Sequence, residues 1–239
     1  MVRDSATVAF KRARQVRETE GWIALLTQAS RSAGRCVFHY GRYYLYRGIM
    51  EDTVNAMNEV DLLPDVAGLT AVMVASNQQA DELAADGLDL RSCVIGARER
   101  LGRGTVAACI FVGGELAHVS WAALTEQGRE GLKEPPYRVG FANNEVCIAD
   151  AWTHPQYRRR GLALYAGYKL RQFLWGRGRV IERCAVERGN AAVQGLYARL
   201  GPGVVAEARY LKVLWWQSWR EWPVGRATPV PRRRCRRWY

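Results

Sequence analysis

The sequence predicts an α+β domain with a mixed sheet, and three observations lead there. Gly113-Gly114 separates two apolar runs, Thr105–Val112 and Glu115–Ala123, as a two-residue hairpin signal. Over residues 69–216 the segments read βα–ββ–β–α–β–α–β, strands and helices in one continuous domain. A tight basic turn, Tyr157-Arg158-Arg159-Arg160-Gly161, joins an apolar strand to a long amphipathic stretch.

Each element has its local reason. Residues 69–75 (LTAVMVA) form a strand candidate, and 77–86 a helix with Asn77 placed to cap it. The hairpin follows, and then a loop over 128–140 containing Pro135-Pro136. Glu145–Thr153 is the next strand and ends at His154-Pro155. Residues 161–176 carry Leu162, Leu164, Tyr165, Tyr168, Leu170, Phe173 and Leu174 on a broad helical face. A strand over 180–186, a helix over 190–200 and a strand or hairpin over 204–216 complete the domain. Upstream, residues 51–65 read as a short helix or loop, and 6–33 as a basic helix. Residues 38–46 are aromatic, β-prone and interleaved with arginine, as expected of a strand packed on the domain or of a base-stacking surface.

Composition narrows the class. The 239 residues are 49% apolar, enough for one sizeable core. No apolar run nears the roughly 18 residues that span a bilayer, and no secretory signal is evident. The six cysteines are scattered, with no Cys-x-x-Cys and no Cys/His cluster, so neither a metal site nor a disulfide framework is expected. The expected location is the cytoplasm. A net charge of +12 gathers at Lys11-Arg12-Ala13-Arg14 and in the run Arg232-Arg233-Arg234-Cys235-Arg236-Arg237. Those ends are expected to form a basic N-terminal extension (1–67) and a flexible basic tail (225–239) around a domain at 68–224.

A glycine turn opening a helix offers free backbone N–H groups and a favourable dipole to a phosphate. Gly161 permits close approach, Ala163 keeps the next helical position small, and the arginines add charge-assisted donors. Arg158-x-x-Gly161-x-Ala163 resembles the acyl-CoA pyrophosphate loop of the GNAT superfamily of N-acyltransferases. Asn190, Tyr197 and Gly201, downstream, resemble its second signature. The resemblance covers about residues 68–222, and Pro202-Gly203 departs from it where the family usually has an aromatic.

What the resemblance implies is specific. The fold would be a central, mostly antiparallel sheet flanked by helices, with acetyl-CoA or another acyl-CoA as co-substrate. Backbone groups of Arg159, Arg160, Gly161, Leu162 and Ala163, with Arg158, would hold the pyrophosphate. The strand edge Ala151-Trp152-Thr153 would pair with the pantetheine arm, Asn190 would touch that arm while capping its helix, and Tyr197 would protonate the leaving thiolate. A phenol with a pKa near 10 suits that task. For the general base, Glu145 comes first, Asp150 second and His118 third; each also has a plain structural reading as a hydrogen-bonded sheet residue. The acceptor would be a primary amine. Rival readings are transfer from a carrier protein or an aminoacyl donor, and a non-catalytic module holding nucleic acid or an anionic membrane. Specific base readout is the least favoured of these; peripheral membrane contact through the basic ends ranks above it.

Overall fold

The computed structural model describes residues 38–132 and 134–224. The basic helix expected at 6–33 and the tail expected at 225–239 lie outside the described residues. One eight-stranded sheet organises the rest: β1 (Phe38–Ile49), β2 (Leu69–Val74), β3 (Thr105–Val112), β4 (Glu115–Ala123), β5 (Glu145–Thr153), β6 (Ile181–Glu187), β7 (Gly203–Val213) and β8 (Trp216–Pro223). Its order is β2-β3-β4-β5-β6-β1-β7-β8. Every neighbouring pair is antiparallel except β5 and β6, which run parallel. Around it lie α1 (Met50–Ala56), α2 (Glu59–Leu62), α3 (Asn77–Ala85), α4 (Ala97–Gly102), α5 (Glu126–Gly131), α6 (Leu162–Trp175) and α7 (Ala191–Leu200).

The boundary at residue 67 is corrected by β1. This strand, assigned to the N-terminal extension by sequence, lies inside the sheet between β6 and β7. Its aromatic alternation serves both faces: Tyr43 and Leu45 enter one core cluster, Tyr46 another. Of the two readings open for residues 38–46, the packed strand is what the chain forms.

Smaller differences have local causes. Ser76, in extended conformation, caps α3 by accepting from Gln79 N at 3.1 Å, so Asn77 is its first helical residue. The expected loop at 128–140 is entered by α5, because Thr125 Oγ1 accepts from Gly128 N at 3.0 Å and starts a turn. The Gly113-Gly114 hairpin forms as expected, with both glycines at positive φ.

Helix α6 closes the second core. Leu162, Tyr165, Ala166, Leu170 and Leu174 make one stripe that packs with Val106, Ala108 and Ile110 of β3. Arg171 lies on the buried side of the same helix, 1% exposed. Its guanidinium grips Glu182 of β6 through two hydrogen bonds, Nε to Oε1 at 2.7 Å and Nη2 to Oε2, and Nη1 donates to Gly167 O at 2.9 Å. Two glycines make room for this pair. A Cβ at Gly48 would meet Glu182 Oε1 at 2.7 Å, and one at Gly167 would meet Arg171 Nη1 at 3.2 Å.

Candidate active site

The site begins where the sheet opens. β5 pairs with β6 only over Glu145–Cys147 and Ile181–Arg183, after which the two parallel strands separate. A bulge in β5 contributes: Val119 faces Trp152 while Trp121 faces Ala149, so Asp150 and Ala151 stand opposite Ser120 alone. Asp150 takes a left-handed conformation, φ 47°. Beyond Cys147, β5 has no strand partner on the β6 side among the described residues, which leaves an edge for an extended ligand to pair with. Ala151, Trp152 and Thr153 lie on that stretch.

The turn stands at the mouth of this opening. Pro155–Tyr157 form a single 3-10 turn, Arg159 has φ 66° and Gly161 φ 82°, and α6 then starts with no side-chain cap. Arg158, Arg159, Arg160 and Gly161 are exposed, whereas Leu162 is buried as an anchor and Ala163 lines the cavity. A Cβ at Gly161 would meet nothing within 4 Å; the space above the helix start is open. Free N–H groups, the positive end of a fourteen-residue helix and three arginines converge there. His154, buried behind the turn, accepts from Gln156 N at 3.4 Å and stacks edge-on against Trp152.

A cavity of about 400 Å³ fills the opening. Its walls come from β5 and β6, from Ala163, Gly167 and Arg171 of α6, and from Asn190 and Tyr197 at α7. Asn190 caps α7 by accepting from Val193 N at 3.2 Å. Tyr197 is 4% exposed, its ring 4.8 Å from that of Tyr46 and 5.6 Å from the Arg171 guanidinium. Burial, then the neighbouring Cys184 and Glu182, push its hydroxyl well above the usual phenol range. The group stays protonated, as a hydrogen-bond donor must.

The three candidates for the base separate sharply. Glu145 does not line the cavity. Its carboxylate binds Arg183 at 3.1 and 3.2 Å and accepts from Gly140 N at 2.8 Å. Burial works to raise its pKa, but the Arg183 bonds and the Gly140 N–H outweigh it and hold the group below its ordinary value. It is a structural tie. Asp150 does line the cavity, paired with Arg100. His118 lines it too, 1% exposed, its Nδ1 2.7 Å from Thr153 Oγ1 and its Nε2 without a partner among the described residues. Burial pulls its pKa down to about 4, so it is neutral at pH 7.

One residue had no sequence signal. Glu134, in the loop after α5, lines the same cavity, and its Oε2 is buried without a hydrogen-bond partner. Burial, reinforced by the Asp150 charge and opposed by Arg129, pushes its carboxyl up to about 8. Ser120 Oγ is likewise buried and unpartnered on the cavity wall. Unsatisfied polar atoms are costly, so three of them around one opening mark a place for a polar guest. Among the described residues no group of three or more His, Cys, Asp or Glu is arranged to hold a metal ion.

A mostly antiparallel sheet flanked by helices, with an uncapped helix start behind Gly161 at the opening of its parallel pair, is the arrangement that the sequence resemblance implies. The fold is GNAT-like. No family model matches the chain, and none of the curated proteins does. Among solved structures, a GCN5-related N-acetyltransferase from Kribbella flavida is similar at 18% identity, over 81% of this chain and 63% of that one, with a TM-score of 0.45. A GCN5-related N-acetyltransferase from Sphaerobacter thermophilus matches at 14% identity, over 83% and 57%, with a TM-score of 0.42. A GCN5-related N-acetyltransferase-like protein from Streptococcus suis matches at 14%, over 84% and 69%, with a TM-score of 0.45. The chain spans less than two thirds of the first two solved chains. Each is a similarity of fold alone.

Proposed function

We propose that this GNAT-like chain is an N-acyltransferase that moves an acyl group, acetyl in the simplest case, from acyl-CoA to a primary amine by direct attack. The observation that carries the reading is the uncapped α6 N-terminus behind left-handed Gly161, at the mouth of the β5–β6 opening. The pyrophosphate belongs at residues 159–163, the pantetheine along the free edge at Ala151-Trp152-Thr153, and the thioester in the cavity between Asn190, Tyr197 and β5.

The chemistry then balances on residues present. Ionised Glu134 takes a proton from the ammonium; the amine nitrogen attacks the thioester carbonyl. The C–N bond forms, the C–S bond breaks, and the second amine proton passes to the sulfur. Tyr197 donates a hydrogen bond to that sulfur. Since its phenol is a weaker acid than usual, stabilising the thiolate is its share of the work. Tyr197→Phe should therefore lower kcat by about 10- to 100-fold, at or below the floor of full acid–base contributions because the phenol only donates a hydrogen bond, with acyl-CoA affinity unchanged. Full activity in a chemistry-limited assay would show that Tyr197 only packs.

Gly161→Val tests the cofactor reading. Its φ of 82° strains any β-branched residue, and the new side chain would stand where the phosphates belong. Acetyl-CoA binding, measured by calorimetric titration, should fall by at least 100-fold while circular dichroism shows the fold retained. Unchanged affinity in the folded variant would refute the phosphate-loop assignment.

A further inference from the structure

At the far end of the sheet, the first residues of β1 (38–42) with β7 and β8 present a face left exposed beyond Tyr44 and Tyr46, which pack with Val193 and Tyr197 of α7, and its residues are sorted along the strands. Directly paired residues share a face. Phe38, Val213 and Trp216 form the row at the hairpin tip; four residues back, Arg42, Arg209 and Arg220 form another. Residues on the opposite face (Tyr43, Ala208, Tyr210 and Trp219) pack in or against the core.

The tip breaks the ordinary rule for turns. β7 and β8 are joined by two residues, a position that favours Asn and Gly; this chain has Leu214-Trp215, with Leu214 at φ 54°. A bulky residue held left-handed costs about 1–2 kcal/mol, and here it holds apolar groups out in water. Trp215 is 88% exposed, Phe38 54% and Trp216 53%. Three arginines side by side across three strands repel one another, and among the described residues of this face the one acid is Glu207, 3.8 Å from Arg42 and shared with Arg188 at 3.4 Å. Local choices that oppose stability point to a function.

We propose that this face is a docking surface for an anionic lipid bilayer, the Leu214-Trp215-Trp216 tip entering the interface and the arginine row meeting lipid phosphates. The spacing fits. Four strand residues place the cationic row about 13 Å behind the apolar one, and side chains of arginine reach forward to the headgroups while the tip sits about 5–10 Å deep. A groove of about 520 Å³ beside the row, lined by Tyr40, Arg42, Arg209 and Trp222, has the size for a headgroup. Charge argues against other occupants. Residues 1–37 carry seven Lys/Arg against three Asp/Glu, and 225–239 carry six arginines and no acid. Both terminal segments and a second copy of this face would meet the arginine row with like charge. Tyr40 and Trp222 flank the arginines, as rings on a nucleic-acid platform would, but Phe38, Leu214, Trp215 and Trp216 are gathered at the extreme point, ahead of the cationic row, and it is this segregation that favours a bilayer; poly-uridylate is therefore an arm of the test.

The test uses the full chain and sedimentation with phosphatidylcholine vesicles containing one-third phosphatidylglycerol, beside pure phosphatidylcholine vesicles and poly-uridylate. Wild type should bind the anionic vesicles, and hydrogen exchange should slow at residues 209–220 on binding. Arg209→Gln/Arg220→Gln should weaken partitioning by roughly thirtyfold at low salt, about 1 kcal/mol per arginine, and Trp215→Ser/Trp216→Ser by at least tenfold at any salt. Acetyl-CoA binding, measured on every variant, reports retained folding and stands apart from this proposal. Unchanged partitioning of both variants, absent protection at 209–220, or a preference for poly-uridylate lost in the variants would each overturn it.

Discussion

Replacing Glu134 by Gln should lower kcat/KM for amine acylation by about 10²- to 10⁴-fold, the range of a lost general base, with acyl-CoA affinity unchanged. The shape is kept and the charge removed. The pH profile identifies the group. With its carboxyl at about 8, wild-type kcat/KM should climb until roughly pH 8, since the base works ionised. The Gln variant should lose that limb. His118, pulled down to about 4, cannot produce an inflection there. Release of CoA thiol across a panel of primary amines, from pH 6 to 9.5, reads both effects. A Gln variant that keeps the limb would remove Glu134 from the reaction.

The same shift has a consequence for folding. The ordinary value is 4.5, and the folded value about 8. Between these the native chain holds a proton that the unfolded chain has released, so stability falls as pH rises through that window and levels off above it. Glu134→Gln should flatten this slope, whose ceiling for one group is about 1.4 kcal/mol per pH unit. Urea midpoints at pH 5 and 8 for both proteins read it.

How much of this was legible depends on the range of the cause. The Gly113-Gly114 hairpin, Asn190 as a cap and Gly161 at a helix start are determined within a few residues, and local sequence shows them. Glu134 sits in a loop without periodicity, and only the meeting of that loop with β4, β5 and β6 buries its carboxyl. The bulge at Asp150 and Ala151 is a shift of register against β4, invisible in β5 alone. Sequence favours Glu145 as a base because it lies on the strand before the turn. Its partner Arg183 arrives through parallel pairing with a strand some 36 residues away, which no local pattern reveals. The place of β1 in the sheet is hidden for the same reason: its aromatic pattern shows a strand, while its neighbours are more than 130 residues downstream.

Arg171 was hidden by its own surroundings, an arginine on a helical face read as apolar, and its removal should have the largest effect on stability. Arg171→Met keeps the length and apolar stem of the side chain but leaves Glu182, 0% exposed, with no charge partner. Breaking a buried pair on one side costs about 3–5 kcal/mol, because the remaining charge keeps its desolvation penalty. For a folded region of this size that lowers Tm by roughly 6–20 °C. Arg171→Met/Glu182→Leu, which removes both charges, should recover most of the loss, since an apolar pair of similar volume is often neutral or better. Activity should not follow stability back. Arg171 lines the cavity and lies 5.6 Å from the Tyr197 ring, so the double variant should fold well yet hold the phenol less firmly, with kcat falling and the KM for acyl-CoA little changed. Thermal melts and steady-state kinetics on both variants separate the two roles. A single variant as stable as wild type would show that water reaches Glu182 and that the pair with Arg171 does not hold this part of the fold together.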